Sequence, residues 1–277
     1  MRALVTGAAG MLGRDLVPVL EGAGHAVVAV DLDVDITDPA AVDRCVDAAR
    51  PGAVFHLAAW TDVDGAEEHE AQALAVNGDG ARNVARAAAR AGASLVFVST
   101  DYVFDGASPR DYTEDDRPAP LGAYGRTKLA GERAVLVEHP HGARIARTAW
   151  LYGGHGRNFV DTMLRVAAER EEVAVVDDQE GGPTWTRDLA PALVALLALP
   201  PGIYHTTGAG SVTWAGFAEA IFAEASIACR VRRITTAEIG RPAPRPARSV
   251  LTVTKPGAPR LRHWREALSD YIGERER

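Results

Sequence analysis

The chain has 277 residues, enough to bury a large core in one domain or one and a half. Its net charge of −7 includes no basic run, which argues against a general surface for nucleic acid or anionic membranes. The longest apolar run, residues 192–199, is far shorter than a membrane span, and the N-terminus turns glycine-rich too early for a signal peptide. Two distant cysteines, Cys45 and Cys229, are typical of a reducing compartment, so we expect a cytoplasmic protein.

The first predicted unit is a strand at residues 3–6, a glycine-rich turn and an amphipathic helix. The turn reads Gly7-Ala8-Ala9-Gly10-Met11-Leu12-Gly13. Glycines allow a tight turn and a close backbone approach to a pyrophosphate, and the helix N-terminus offers unpaired N–H groups to that anion. A plain strand-to-helix turn rich in small residues is the alternative. Because strand and helix both flank the motif, the sequence favours dinucleotide binding.

A second strand, at residues 26–30, ends in Asp31. An acidic residue about twenty positions past the glycine turn usually holds the adenosine ribose hydroxyls, which favours NAD. Arg14 could compensate a 2′-phosphate, so the choice of cofactor stays open. Asp35 and Ile36 could frame the adenine or only form a loop, and Asp38 should cap the next helix, residues 39–50.

The third strand, residues 53–57, runs into Ala58, Ala59 and Thr61, which would pass beneath a cofactor at the carboxyl edge of the sheet. The helix predicted over residues 71–91 contains Asn77, either a core residue that binds backbone or a functional one. The fourth strand, residues 94–99, delivers Thr100, Asp101 and Tyr102 to the same edge. Residues 105–121 form a loop long enough to cover a substrate.

The segment Tyr124-Gly125-Arg126-Thr127-Lys128 places a tyrosine and a lysine one turn apart on one helix face. An ammonium about 4 Å from the phenol oxygen would lower the phenol pKa by roughly three units, which would make a usable acid–base group. Thr100 would then donate a hydrogen bond to a substrate carbonyl. An exposed tyrosine and a solvated lysine are the alternative.

The second half continues to alternate strands and helices. We predict strands at residues 143–148, 173–176 and 203–207, helices at 158–170 and 214–225, a loop at 177–184 and a helix starting at Thr186. Trp150 could lie against a sugar face or belong to the core. Four cations, Arg241, Arg245, Arg248 and Lys255, could hold a diphosphate or form a solvated loop. Together these patterns predict a doubly wound α/β fold of Rossmann type. Residues 1–150 form the dinucleotide-binding domain, to which later segments return, and residues 151–277 form mainly a smaller C-terminal lobe that binds substrate.

With these pieces assembled, the chain resembles the extended short-chain dehydrogenase/reductase superfamily and, within it, the dTDP-4-dehydrorhamnose reductase family. Six motifs carry the resemblance in the family's order: the glycine turn, Ala58-Ala59-Trp60-Thr61-Asp62-Val63-Asp64, Ser99-Thr100-Asp101-Tyr102-Val103-Phe104-Asp105-Gly106, Tyr124-Gly125-Arg126-Thr127-Lys128-Leu129-Ala130-Gly131-Glu132, Arg147-Thr148-Ala149-Trp150-Leu151-Tyr152 and Asp177-Asp178-Gln179. The family's pattern differs at Glu180, Arg248 and Thr252.

The resemblance implies reduction of the C4 ketone of a dTDP-4-keto-6-deoxyhexose, first of all dTDP-4-dehydrorhamnose, by NADPH, with NADH as a second candidate. It implies a catalytic set of Thr100, Tyr124 and Lys128 and substrate contacts from Thr100, Asp101, Tyr102 and Trp150. The expected cofactor contacts are Gly7, Gly10, Met11, Leu12, Gly13, Asp31, Asp35, Ile36, Leu57, Ala58, Ala59, Thr61, Tyr124 and Lys128.

Some members of the family bind magnesium at a dimer interface, so a homodimer is compatible with the resemblance. Asp15 could match one magnesium ligand, but the sequence supports no metal site. Dehydratases of the superfamily place an Asp-Glu pair after the catalytic threonine, whereas Tyr102 follows Asp101 here. A natural-product deoxysugar ketoreductase and a non-catalytic subunit resembling the methionine adenosyltransferase β subunit are the remaining alternatives.

Overall fold

The structure is a computed structural model that describes residues 1–275, and its centre is a six-stranded parallel sheet. The strand order is β10-β5-β4-β3-β1-β2, with neighbours paired in parallel throughout. The chain winds outward from β1 to β2, then returns past β1 to β3 and winds the other way. This order confirms the predicted doubly wound α/β fold and places a switch point between β1 and β3.

The strands of the central sheet are β1 (Arg2–Thr6), β2 (Ala26–Val30), β3 (Ala53–His56), β4 (Ser94–Thr100), β5 (Ala143–Thr148) and β10 (Gly202–His205). The short strands are β6 (Leu151–Tyr152), β7 (Glu172–Val176), β8 (Glu180–Gly181), β9 (Thr184–Trp185), β11 (Val212–Thr213) and β12 (Arg230–Ile234). The helices are α1 (Met11–Gly22), α2 (Pro39–Ala49), α3 (Gly65–Glu68), α4 (Glu70–Leu74), α5 (Ala81–Arg90), α6 (Ala123–Glu138), α7 (Phe159–Ala167), α8 (Thr186–Leu196), α9 (Trp214–Glu224), α10 (Thr236–Ile239) and α11 (Trp264–Arg275).

Two apolar cores cover the two faces of the central sheet. One packs α2 and α5 against it around Val54 and Leu95, and the other packs α1 and α8 around Phe55 and Val96. Because neighbouring residues of β3 and β4 face opposite cores, these strands are apolar on both faces, as parallel sheets require. Both faces of the sheet are covered by these cores, so the strands are held in place. At the carboxyl edge of the sheet the chain leaves each strand and enters a loop.

The helix α6 is fastened to β5 by a fully buried ion pair. Arg147 donates two hydrogen bonds to the Glu132 carboxylate, at 2.8 and 2.7 Å. Both side chains are at most 2% exposed. Removing one partner from such a pair leaves an uncompensated buried charge, so the geometry is strongly held. The pair thereby fixes the helix that carries Tyr124 and Lys128.

The C-terminal lobe has a third, aromatic-rich core built from α7, α9 and α11. Tyr152, Phe217 and Trp264 lie at its centre and pack edge-on or tilted against their neighbours. Two segments of the second half belong instead to the Rossmann layer, because α8 packs on α1 and β10 extends the sheet beside β5.

Several elements differ from the predicted ones. The helix expected over residues 71–91 is interrupted, with α4 and α5 separated by a π-helical segment, Ala75–Gly80. The loop expected at 177–184 contains β8, and β9 begins at its end. The loop at 105–121 is tied to the C-terminal segment, because the backbones of Tyr112 and Val250 are hydrogen-bonded and the buried Glu114 accepts from Thr254. None of the helices within residues 1–275 is long and apolar enough to cross a bilayer.

Candidate active site

A cleft of about 900 Å³ opens at the carboxyl edge of the sheet, beside the switch point. Parallel strands deliver their following loops to this edge, and ligands of doubly wound sheets bind there. Of the predicted site residues, Tyr102 alone does not line the cleft. The others do so: Gly7, Gly10, Met11, Leu12, Gly13, Asp31, Asp35, Ile36, Leu57, Ala58, Ala59, Thr61, Thr100, Asp101, Tyr124, Lys128 and Trp150.

The glycine turn forms one wall of the cleft. Gly7 has a φ of +70°, and a Cβ there would lie 2.6 Å from the backbone nitrogen of Ala58. Only glycine allows this turn to pass so close to the segment after β3. The helix α1 begins at Met11 with no side chain capping its first turn. Its first N–H groups are therefore available to an anion such as a pyrophosphate, so the turn fits a dinucleotide.

The end of the cleft beside β2 is acidic. One oxygen of the Asp31 carboxylate accepts from the Ala9 backbone N–H at 2.8 Å, and the other accepts from Leu32 N–H at 3.0 Å. Hydrogen bonds from the Thr37 side chain and backbone lower the pKa of Asp35. Arg14, the cation that the sequence offered for a 2′-phosphate, donates to the Ala9 carbonyl at 3.0 Å. Both oxygens of the Asp31 carboxylate are thus held by backbone N–H groups at this end of the cleft.

Thr100 and Asp101 form a buried hydrogen-bonded group at the other end. The Thr100 hydroxyl donates to one oxygen of Asp101 at 3.0 Å, and the Ser249 hydroxyl donates to the other at 2.5 Å. Burial raises the pKa of Asp101 to about 7, and these two hydrogen bonds oppose the shift. A hydroxyl carries one proton, so while Thr100 donates to Asp101 it meets any other partner as an acceptor.

Tyr124 lies in the first turn of α6 and Lys128 one turn further along. The expectation that the lysine lowers the phenol pKa is wrong. Burial raises the pKa of Tyr124 to about 12; contact with the Thr100 hydroxyl opposes this and the Asp101 charge adds to it. The Lys128 ammonium donates to the Val98 carbonyl at 2.8 Å, and burial lowers its pKa to about 8. Loss of solvation is the largest cause of both pKa shifts because both groups are enclosed, and at Lys128 the Glu132 charge opposes it.

Two close contacts bring α6 to this position. A Cβ on Gly125 would lie 2.2 Å from the Tyr102 carbonyl oxygen, so glycine lets the helix start against the segment after β4. The Tyr102 ring packs edge-on against Tyr124, with centroids 5.9 Å apart. Asn77, in the π-helical segment, accepts from Trp60 N–H and donates to the Thr127 hydroxyl. Asn77 therefore joins the loop after β3 to α6 through backbone and side chain.

The four cations considered for a diphosphate are paired with carboxylates of other segments. Arg241 and Arg245 both donate to Asp64, at 3.1 and 3.0 Å. Arg248 bridges Asp111 and Glu180, and Lys255 pairs with Asp115. These ion pairs tie the segment 241–255 to the loops after β3 and β4 and to β8, so each of the four cations has a carboxylate partner.

The magnesium ligands implied by the resemblance are not assembled either. Asp15 accepts a hydrogen bond from Thr186 at 2.5 Å, and the nearby Glu274 pairs with Arg187. Within residues 1–275 no group of three or more His, Cys, Asp or Glu side chains could hold a metal ion. The described residues of one chain alone therefore do not assemble the shared site that the resemblance implies.

Sequence reasoning missed three residues around the cleft. Ser249 reaches Asp101 from the C-terminal segment, Trp214 stacks on Trp150, and Arg157 lines the cleft beside the glycine turn. The first two contacts join residues 148 and 64 positions apart, where no local pattern signals proximity. Arg157 lies in a short loop before α7 and carries no motif of its own.

A glycine-lined cradle at the switch point, with a threonine, a tyrosine and a lysine converging at its far end, defines an oxidoreductase of the short-chain Rossmann class. A family model described as the RmlD substrate binding domain matches residues 1–277. The chain belongs to this family, which confirms the resemblance read from the sequence.

Three relatives show how close the similarity is. The chain is 49% identical over 280 residues to a dTDP-4-dehydrorhamnose reductase of Streptomyces griseus, covering 97% of this chain and 92% of the relative. It is 47% identical over 274 residues to a dTDP-4-keto-6-deoxy-D-glucose reductase of Streptomyces niveus, covering 97% and 95%. A solved dTDP-4-dehydrorhamnose reductase of Bacillus anthracis, in complex with NADP, superposes with a TM-score of 0.96 at 40% identity, covering 99% of each chain.

Proposed function

We propose that this chain reduces the C4 ketone of a dTDP-4-keto-6-deoxyhexose with a nicotinamide cofactor, dTDP-4-dehydrorhamnose being the first candidate substrate. One observation carries the proposal. The cleft that offers a dinucleotide cradle at the glycine turn also encloses Thr100, Tyr124 and Lys128 at its far end. The curated names of the Streptomyces relatives support a dTDP-4-keto sugar as the substrate.

The bound nicotinamide would supply the hydride, and the residues of this chain would bind it, orient the ketone and deliver a proton. The glycine turn and the open first turn of α1 would hold the pyrophosphate, and Asp31 the adenosine ribose. The NADP complex of the Bacillus anthracis relative supports NADPH. The carboxylate of Asp31 would repel a 2′-phosphate, which favours NADH. We therefore propose NADPH as the cofactor, on the support of this relative, with NADH also accepted because of Asp31.

Tyr124 would act as the general acid. With its pKa raised to about 12 the phenol is fully protonated at neutral pH, which is the form that protonates an alkoxide. Lys128 would contact the cofactor ribose. Its ammonium is held by Val98, and its pKa of about 8 keeps it mostly charged at neutral pH.

Thr100 would orient the reacting oxygen under the control of Asp101. With Asp101 ionised, the Thr100 proton points to the carboxylate. With Asp101 protonated, the carboxyl proton can be donated to Thr100, and the threonine proton is then free to meet the substrate carbonyl. Because burial brings the pKa of Asp101 to about 7, both states are populated near neutrality.

Turnover of purified protein against a panel of dTDP-4-keto-6-deoxyhexoses, with NADPH and with NADH, tests the proposal. We expect cofactor oxidation with at least one dTDP-4-keto sugar and little with the corresponding UDP sugar. The panel also decides between dTDP-4-dehydrorhamnose and the dTDP-4-keto-6-deoxy-D-glucose named for the Streptomyces niveus relative. No oxidation with any member and either cofactor would refute the proposal and favour a non-catalytic subunit.

A further inference from the structure

Trp150 has a backbone conformation that a bulky side chain rarely adopts. Its φ is +48°, in the left-handed region, although it is not glycine. Such a conformation persists only where the surroundings determine it, and it is concentrated at functional sites. The residue lies between β5 and β6, and its carbonyl accepts from Thr184 N–H at 3.2 Å. This backbone turns the indole toward the cleft, which Trp150 lines.

One face of the Trp150 indole is covered by a second tryptophan. Trp214, the first residue of α9, stacks on it with ring centroids 3.5 Å apart and planes 5° from parallel. Trp214 is itself supported by Phe159, whose ring centroid lies 4.5 Å away. The stack is thus anchored in the aromatic core of the C-terminal lobe and leaves this face of Trp150 with no room for a ligand.

The opposite face is covered by the backbone of Gly181. A Cβ on Gly181 would lie 2.4 Å from Trp150 Cε2, 2.5 Å from Nε1 and 2.8 Å from Cζ2. The nearest atom is the inner ring-fusion carbon, not the outer Nε1 or Cζ2, so this approach is over the ring face. Trp214 already fills one face, so Gly181 must lie on the other. Any larger residue at 181 would displace the indole.

Trp150 therefore has only its edge left to offer. We propose that Trp214 and Gly181 are positioning residues that hold Trp150 edge-on to the cleft, so that its indole N–H donates to an oxygen of the substrate sugar. The indole nitrogen makes no hydrogen bond to another residue within 1–275, so the donor is free. This inference rests on the proposed function, and it replaces the expectation that the flat indole face stacks on a sugar.

We call the arrangement of Trp214 and Gly181 on the two faces of Trp150 the clamp. Titration calorimetry tests it by measuring the binding of dTDP-L-rhamnose, and of dTDP alone, to protein saturated with NADPH. We expect Trp150→Phe, Trp214→Leu and Gly181→Ala to weaken dTDP-L-rhamnose binding about three- to tenfold, the value of one hydrogen bond, with dTDP binding unchanged. Trp214→Phe keeps an aromatic ring against Trp150, so this variant should bind dTDP-L-rhamnose more tightly than Trp214→Leu and close to the wild-type affinity. Unchanged affinity for dTDP-L-rhamnose in the first three variants, or equal losses for dTDP, would overturn the proposal.

A ligand-free measurement separates the clamp from the proposed function. Each ring of a stacked pair shifts the protons of the other ring upfield through its ring current. The Trp150 indole resonances, assigned by NMR from their loss in Trp150→Phe, should therefore move downfield in Trp214→Leu. Resonances that do not move would contradict the clamp even if turnover is normal. Conversely, the expected shift in a protein that binds and turns over no dTDP sugar would refute the proposed function and with it the sugar contact.

Discussion

Asp101 gives a pH-dependent stability that can be worked out from the structure. The residue is 2% exposed, and burial raises the pKa of its carboxyl from 3.8 to about 7. Between these values the folded protein holds a proton that the unfolded chain has released. The free energy of unfolding therefore falls as pH rises, by about 1.4 kcal/mol per pH unit. The contribution is complete below about pH 4 and is lost once the pH passes about 7, a total on the order of 4 kcal/mol.

Asp101→Asn removes this titration and keeps the shape of the side chain. The amide still offers one acceptor and one donor group to the hydroxyls of Thr100 and Ser249. We expect the unfolding free energy of the wild type, minus that of the variant, to fall by about 3 kcal/mol between pH 5 and pH 8. Urea unfolding of both proteins at each pH unit measures this difference, in which all other titrations cancel.

The control variant is Asp116→Asn, which removes a carboxyl whose pKa is lowered, whereas the pKa of Asp101 is raised. Hydrogen bonds from Arg110 lower the pKa of Asp116, so that carboxyl is ionised throughout the range. Asp116→Asn should therefore shift stability by a constant amount from pH 5 to pH 8. If the difference between wild type and Asp101→Asn is also constant within about 0.5 kcal/mol, the buried carboxyl does not carry the raised pKa and the reasoning about Thr100 fails.

Three further predictions concern the acid, the buried ion pair and the cofactor. Tyr124→Phe should lower kcat by about 10²- to 10⁴-fold and leave the NADPH dissociation constant, measured by fluorescence, unchanged; near-normal turnover would exclude Tyr124 as the acid. Glu132→Leu strands the buried charge of Arg147 and should cost about 3 to 5 kcal/mol of unfolding free energy in urea; a loss below about 1 kcal/mol would show that the pair is not held as described. Asp31→Ser should shift the ratio of NADPH to NADH affinity about tenfold toward NADPH, because a like charge beside the 2′-phosphate is removed; an unchanged ratio would place Asp31 away from the ribose.

Elements with a strong local signal were predicted closely. The strands at residues 26–30 and 143–148 have the predicted bounds. Each starts within two residues of a glycine, and Asp31 and the Ala149-Trp150 pair follow their last residues. Asp38 caps α2 through the Ala40 N–H, as the Asp-Pro pair indicated. The glycine turn also lies where a strand-turn-helix pattern puts it. Local sequence was sufficient in each of these places.

Features that depend on distant residues were not predictable. The π-helical segment follows from packing around Asn77, which binds Trp60 and Thr127 on two other elements. The pKa of Tyr124 was predicted in the wrong direction because a spacing of four residues reveals a charge partner but not the burial of the pair. Arg241 and Arg245 were considered as anion ligands, yet both meet Asp64, which is more than 170 positions away.

The C-terminal part shows the same limit. The helix Trp264–Arg275 had no predicted counterpart, because its sequence mixes charged and apolar residues without a clear periodic face. Its buried side chains, Trp264, Leu268 and Tyr271 among them, complete the aromatic core. That core positions Trp214 and hence Trp150. The end of the cleft at Trp150 is therefore fixed by long-range packing, whereas the end at the glycine turn is fixed by local sequence.

Hydride transfer to C4 is the central claim, and isotope transfer tests it directly. The protein would be incubated with dTDP-4-dehydrorhamnose and NADPH deuterated at C4 of the nicotinamide, in each of its two stereochemical forms. We predict that one form gives a dTDP-6-deoxyhexose with a single deuterium at C4, detected by NMR and mass spectrometry, and that Tyr124→Phe gives almost none. Product without deuterium from either form, deuterium at another carbon, or no product at all would contradict the account.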